Sequence, residues 1–364
     1  MNIGKRQIGD GAPVYIIAEL GVNHDGSAVR AMEMVDAAAA AGADAVKFQL
    51  FRAELLMSRA SRLAAYQEGA GERDPLSMLK RLEMPADAMA PLVARAHEMG
   101  IHAIVTVFSV GLVGEAERVP WDAYKTASPD IVHRPLLEAV AATGRPLIVS
   151  TGAAELSEVE RAVEWLSGCR ERLAVLQCVS SYPTAAEDAS IAGMGALREL
   201  PGLRGRIGYS DHTPQVDTGD LAADAGACIL EKHMTHDKRA QGPDHAASLE
   251  PQEFKRYAEL ARDASLLRLR VGPAGPTRTD ARLGPAQKRV LPCERDVRAV
   301  SRQSVVTRRR IARGEVIAAA DVLFKRPGTG IAPWRVGEVI GARAAADIEA
   351  DTPIVAAAVE GFRP

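Results

Sequence analysis

The 364-residue chain has no run of 18 or more apolar residues, and its first ten residues are polar. Neither a membrane span nor a secretory signal is therefore expected. It lacks any Cys-x-x-Cys pair. Cys169, Cys178, Cys228 and Cys293 are spaced like the reduced thiols of a cytoplasmic protein rather than a zinc knuckle. Cys178 and Cys228 fall inside apolar runs and read as core filler. Charge of either sign is not in excess: 45 basic against 47 acidic residues leave a net charge of -2, which argues against a nucleic-acid-coating protein. Hydrophobic content is not short, at 47% with 25% charged residues, so disorder is excluded and the length predicts about two domains. Lysine is scarce, with nine among the 45 basic residues. Two of them, Lys47 and Lys125, stand inside apolar runs, where a cation needs a reason to be.

Eight short apolar runs punctuate the first 270 residues, at 14–21, 45–50, 102–108, 123–128, 146–151, 173–180, 206–211 and 227–234. They are continuous rather than alternating, the pattern of strands buried on both faces. Helical patterns lie between them, at 27–41, 85–99, 157–166 and 251–270. Such a rhythm predicts an α/β fold, a (β/α)8 TIM barrel over residues 1–271. A doubly wound sheet is the alternative, but the turn after the first run is not G-x-G-x-x-G. Glycine and proline then crowd 272–298, which reads as a linker. The remaining 299–364 reads as a small β-rich domain whose core is marginal alone, so it is expected to dock.

Barrel enzymes carry their chemistry at the strand C-termini. Those ends hold Glu19; Lys47 and Gln49; Lys125 and Ser128; Ser150 and Thr151; Ser180, Ser181 and Tyr182; Ser210, Asp211 and His212; and Glu231, Lys232 and His233. Burying so many polar groups unpaired would cost several kcal/mol each, so a functional mouth is favoured. Two lysines with serines at four strand ends suit a phosphate or carboxylate ligand. A Schiff-base role for one lysine is the rival reading. His212 and His233 end neighbouring strands and could share one divalent ion, with substrate and water completing its shell. His236 and His245 fall beyond the strand and read as loop residues.

Ile17-Ala-Glu-Leu-Gly-Val-Asn-His-Asp-Gly26, Val46-Lys-Phe-Gln49, Ser150-Thr-Gly152, Ser181-Tyr-Pro-Thr184, Gly208-Tyr-Ser-Asp-His212, Leu230-Glu-Lys-His233 and Gly242-Pro-Asp-His245 together resemble the sialic acid synthase family, with its legionaminate and pseudaminate relatives. Arg326-Pro-Gly-Thr-Gly330 and its surroundings resemble that family's C-terminal antifreeze-like (SAF) domain. The resemblance implies a transferase that condenses phosphoenolpyruvate with an N-acylated amino sugar, using manganese or magnesium. By the same resemblance His212 and His233 would hold the metal, and Lys47, Lys125, Ser128, Ser150 and Ser210 phosphoenolpyruvate. Glu19, Gln49, Ser180, Tyr182, Glu231 and Asp244 would meet the sugar or order the site. Arg326 would arrive from the partner subunit of a domain-exchanged homodimer. The chain departs from many relatives at Pro129-Asp130, where Asp130 stands for the usual glutamate as water-positioning group. It departs also at Ser180 and at Thr106-Val-Phe-Ser109. A carbohydrate-binding role for the 299–364 domain alone is the non-enzymatic alternative.

Overall fold

The computed structural model describes residues 1–203, 205–272 and 279–363. A hairpin of β1 (Asn2–Ile3) and β2 (Arg6–Gln7) leads into eight strands: β3 (Tyr15–Glu19), β4 (Ala45–Leu50), β5 (His102–Val107), β6 (Ala123–Thr126), β7 (Leu147–Ser150), β8 (Leu173–Cys178), β9 (Ile207–Asp211) and β10 (Ile229–His233). They are parallel, and β10 pairs back onto β3 to close the barrel. The helices form where the sequence says they should. In Ala28–Ala40 the Ser27 side chain accepts the Arg30 N–H, and Ala31, Met34, Val35 and Ala38 recur at helical spacing on the buried side. Gly42, at φ +86°, then turns the chain toward β4, a conformation that side chains resist.

Strand alternation divides the barrel strands cleanly. Outward residues such as Ile16, Val46, Val105, Val149 and Leu230 pack beneath the helices. Inward residues of the lower half, among them Ile17, Ala45, Ile104, Ile148 and Ile229, form a separate apolar plug with Ile3 and Ile8 of the N-terminal segment. The same alternation corrects the expected mouth at two positions. Asp211 and Lys232 sit one residue out of phase with Ser210 and Glu231 and face the helices instead. There Lys232 Nζ donates to Asp211 Oδ2 at 3.0 Å, and Asp211 Oδ1 accepts from Thr213 N and Oγ1 at 2.8 Å each. Lys232 also lies 5.6 Å from the Tyr257 ring centroid.

Of the expected 272–298 linker, residues 273–278 lie outside the described residues. The rest is no loose connector. It crosses the barrel mouth, burying Lys288 and Glu294, and runs into the helix Arg295–Ser301, whose Val297 and Val300 pack on Ala64. The β-rich domain follows, built on antiparallel β11 (Ser304–Thr307) and β12 (Val322–Lys325) with isolated bridges, around Val305, Ile311, Ile317, Val339 and Ile354. It docks on the barrel of its own chain. Trp334 lies 6.3 Å from Trp165 of the helix Leu156–Trp165, and Arg298 and Arg302 grip Glu158 of that helix. Burial works against a charged Glu158, but the two guanidinium groups outweigh it and hold its carboxyl down to about 2. Among the described residues no helix is long and apolar enough to cross a membrane.

The Lys232–Asp211 pair supplies a stability test. Lys232→Met leaves a fully buried carboxylate without its cation and is expected to cost about 3–5 kcal/mol in urea unfolding. Adding Asp211→Asn should recover most of that loss. A single-variant cost below about 1 kcal/mol would show that the pair is not what orders this seam.

Candidate active site

Above the apolar plug, each strand places a polar side chain in the next inward layer: Glu19, Lys47, Thr106, Lys125, Ser150, Cys178, Ser210 and Glu231, with Gln49 and His233 above them on β4 and β10. Together they floor one cavity at the C-terminal end of the barrel. Two lysines and two glutamates interlock in this ring. Lys47 Nζ contacts Glu19 and donates to Thr106 Oγ1 at 3.0 Å, and lies 3.9 Å from Glu231 Oε2. Glu231 Oε1 accepts from Ser210 Oγ at 3.0 Å and lies 3.2 Å from Lys125 Nζ. Burial draws the Lys47 ammonium below its ordinary value, and Glu231 works against that shift. Lys47 is engaged by Glu19, Thr106 and Glu231, and Lys125 by Glu231, so neither amine stands free in the cavity as a Schiff-base nucleophile would. Thr106 shows that the altered β5 motif still serves the site.

On the β6–β8 side three serines form a cup. Ser128 Oγ accepts the Gly152 N–H at 2.9 Å, and the buried hydroxyls of Ser150 and Ser180 have no protein partner. Gly152 makes the convergence possible, because a Cβ there would stand 2.9 Å from Ser128 Oγ and 3.1 Å from Cys178 Sγ. Cys178 therefore lines the cavity, and its assignment as core filler is corrected; a β8 residue in phase with the barrel axis must point into the mouth. Lys288 is buried on this same side, close enough to Glu294 and Cys178 to interact electrostatically with both.

Across the cavity, the rings of His212 and His233 lie 5.5 Å apart. His212 Nδ1 donates to Val179 O at 2.7 Å, which leaves Nε2 as an electron-pair donor. His233 Nδ1 is buried without a hydrogen-bond partner, 3.7 Å from Asp244 Oδ2. Burial, reinforced by the nearby His212, holds His233 well below the ordinary imidazole value, in its neutral, ligating form. Rings at this separation can both reach an ion ~2 Å from each coordinating nitrogen. Burial raises Asp244 to about 6. Beside it, His245 is no free loop residue: it is buried, bonded to Thr235 at 2.7 Å and to Asp25 at 3.1 Å.

The outer wall comes from the segment after β4 and from the C-terminal domain. Tyr66 stacks on Tyr182 at 5.1 Å, and Tyr182 lies 4.1 Å from the His212 ring. Phe51, Leu56, Met78, Leu79 and Leu82 complete an apolar side. Gln49 Nε2 donates to Gly21 O at 2.8 Å. Arg326 enters the cavity with its Nε unpartnered and its guanidinium 5.9 Å from the Phe108 centroid. The resemblance placed this arginine in the partner's site; here the same chain supplies it. Its main chain is fixed by Arg326 N to Leu56 O at 2.8 Å, and by Ser58 Oγ and Ser61 Oγ to Arg326 O at 2.6 and 2.9 Å.

Asp130 departs from expectation. It lies outside the cavity lining, and its Oδ1 accepts from Gln303 Nε2 at 3.0 Å. The 3-10 turn Ser128–Val132 holds it against the docked domain through Gln303, with its Oδ2 buried and unpartnered. Lys288, Glu294, Tyr66 and Gln303 were not foreseen; only the scarcity of lysine marked one of them.

Fold and site define a barrel with a serine cup, a histidine pair and a docked C-terminal domain at its mouth. The chain belongs to the NeuB family, which matches residues 34–269, and a SAF domain matches residues 302–360. N,N'-diacetyllegionaminic acid synthase of Legionella pneumophila is 34% identical, over 97% of this chain and 96% of that one. Human N-acetylneuraminate-9-phosphate synthase is 30% identical, over 96% and 94%. The crystal structure of the spore coat polysaccharide biosynthesis protein spsE of Bacillus subtilis is similar with a TM-score of 0.84 and 32% identity, covering 99% of this chain and 98% of that one.

Asp130 also sets a pH test. Burial raises its carboxyl from 3.8 to about 7, with Arg326 opposing. A carboxyl that holds its proton more tightly folded than unfolded loses stability as pH rises from about 4 through 7. Asp130→Asn keeps the acceptor for Gln303 and removes the ionisation. It should gain on the order of 2–4 kcal/mol over wild type at pH 8 and little at pH 5, by urea unfolding. A difference independent of pH would refute this.

Proposed function

We propose that the chain is a nonulosonic acid synthase that condenses phosphoenolpyruvate with an open-chain N-acyl mannosamine-type sugar, releasing phosphate and a nine-carbon 2-keto sugar acid. The observation that carries this reading is the cup of Ser128, Ser150 and Ser180 beside Lys125, with two hydroxyls unpartnered and facing the cavity. Phosphate would sit in the cup, with Lys288 behind it, and the carboxylate of phosphoenolpyruvate would meet Lys47 and Ser210. His212 and His233 would hold a divalent cation, manganese or magnesium. Bound there, it would polarise the sugar aldehyde for attack by C3 of phosphoenolpyruvate. Lys47 and Lys125 would offset the negative charge of the phosphate and carboxylate through the addition of C3, the addition of water at C2 and the departure of phosphate. Glu19 and Glu231 hold those lysines in place. Tyr66, Tyr182 and the apolar wall would exclude bulk water and flank the sugar, while Gln49, Asp244 and Arg326 would meet its polar groups. A diacetamido-trideoxyhexose, as in legionaminate or pseudaminate synthesis, is the second acceptor reading. The apolar wall favours it, because a deoxy end asks for no hydrogen bond there.

Phosphate release should require phosphoenolpyruvate and an acceptor together, stop in EDTA and return with manganese. His212→Ala and His233→Ala should each lose at least about 100-fold in kcat. Full activity in EDTA would remove the metal, and borohydride trapping of pyruvate on Lys47 or Lys125 would replace the mechanism by a Schiff base.

We also propose the exchanged homodimer, in which the partner subunit's domain would seat its arginine through the contacts that Arg326 makes here within one chain. Mixing inactive His212→Ala and Arg326→Ala chains should then restore about a quarter of wild-type activity. No recovery would leave Arg326 serving its own barrel.

A further inference from the structure

Glu294 is fully buried in the strap that crosses the barrel mouth, and it binds neither the cavity nor the lysine ring. Its carboxylate is spent on backbone. Oε1 accepts the N–H of Ala153 at 2.6 Å and that of Ser180 at 2.8 Å, and Oε2 accepts the N–H of Leu291 at 2.8 Å. Ala153 follows the β7 end and Ser180 the β8 end, so one oxygen ties together the two loops that carry the serine cup. The β7 loop needs the tie. Ala153 holds φ +52°, a conformation disfavoured for a residue with a Cβ, and the N–H of neighbouring Gly152 is already committed to Ser128. The strap is anchored in turn at its far end, where Arg298 and Arg302 bind both Glu158 and the carbonyl of Ala153. Ala153 is thus held at its N–H by Glu294 and at its C=O by the two arginines.

We propose that Glu294 is a positioning residue for the anion subsite. By fixing the β7 and β8 loops against each other, it sets the spacing of the Ser128, Ser150 and Ser180 hydroxyls. Anion binding in the cup then depends on the strap being seated. A carboxylate suits this task because it accepts several N–H bonds at once and fills no space in the cup. The inference rests on the functional reading above only in naming phosphoenolpyruvate as the anion; the geometry concerns any tetrahedral oxyanion.

Inorganic phosphate is therefore the probe, titrated calorimetrically into the full-length protein, with steady-state kinetics alongside. Glu294→Ala should weaken phosphate binding and raise KM for phosphoenolpyruvate at least tenfold, with the acceptor KM within twofold of wild type. Glu294→Gln, whose Oε1 still accepts from Ala153 and Ser180, should recover most of the loss. Should Glu294→Ala fail to fold, the Arg298→Ala/Arg302→Ala double variant frees the other end of the strap and should give the same selective weakening. Unchanged phosphate affinity in Glu294→Ala overturns the proposal. So does a glutamine variant as impaired as alanine, with kcat lowered and both KM values raised together, because that marks a merely structural role. If wild type binds phosphate but phosphoenolpyruvate does not displace it, the functional reading fails while Glu294 is still judged on phosphate alone.

Discussion

Everything in this molecule is arranged around a ring of four buried charges on four barrel strands. Lys47, Lys125, Glu19 and Glu231 are each no more than 4% exposed. Charges taken out of water at that depth persist only if paired and hydrogen-bonded, and any one left alone would cost several kcal/mol. Their mutual contacts, with hydrogen bonds to Thr106 and Ser210, meet most of that demand, while Glu231 Oε2 is left without a hydrogen-bond partner. The apolar plug seals the ring from beneath, and the docked domain helps wall the cavity above it. Contacts among groups so deeply buried are stronger than the same contacts in water.

The architecture was legible in the sequence because it depends on patterns that a barrel cannot avoid. Continuous apolar runs mark strands buried on both faces, and all eight runs became barrel strands within a residue or two of the expected ends. Lysine scarcity was informative beyond what was drawn from it: Lys47, Lys125, Lys232, Lys288 and Lys325 are all buried, five of nine. Phase was not legible at the strand ends. Asp211 and Lys232 sit beside true mouth residues in sequence and face the opposite way, and only closure of the barrel decides which member of a pair is inside. Cys178 was misjudged for the converse reason: an apolar neighbourhood in sequence says nothing of the side a strand residue faces.

The strap was the larger omission. Residues 279–294 carry few apolar side chains, so they read as a linker, yet Lys288 and Glu294 are among the deeply buried charges. Sequence reasoning looks for burial through hydrophobicity, whereas this segment is buried by hydrogen bonds to strand-end backbone. Asp130 belongs to the same class. Its partner Gln303 lies 173 residues away, and no local pattern could reveal that the turn after β6 would reach the C-terminal domain.

Charge balance explains why a complete barrel still needs parts from outside it. Two ammonium groups and two carboxylates cancel, so the ring alone offers little net attraction to a polyanion such as phosphoenolpyruvate. Extra positive charge must come from elsewhere, and each barrel strand already spends its inward mouth position. The cations at hand are Lys288 on the strap and Arg326 on the C-terminal domain. Both lie outside the eight strands, so positive charge beyond the ring comes from segments docked on the barrel. A small domain with a marginal core of its own gains from the same arrangement. The contacts that seat Trp334 on Trp165 and Arg302 on Glu158 stabilise it and carry the missing cations to the site.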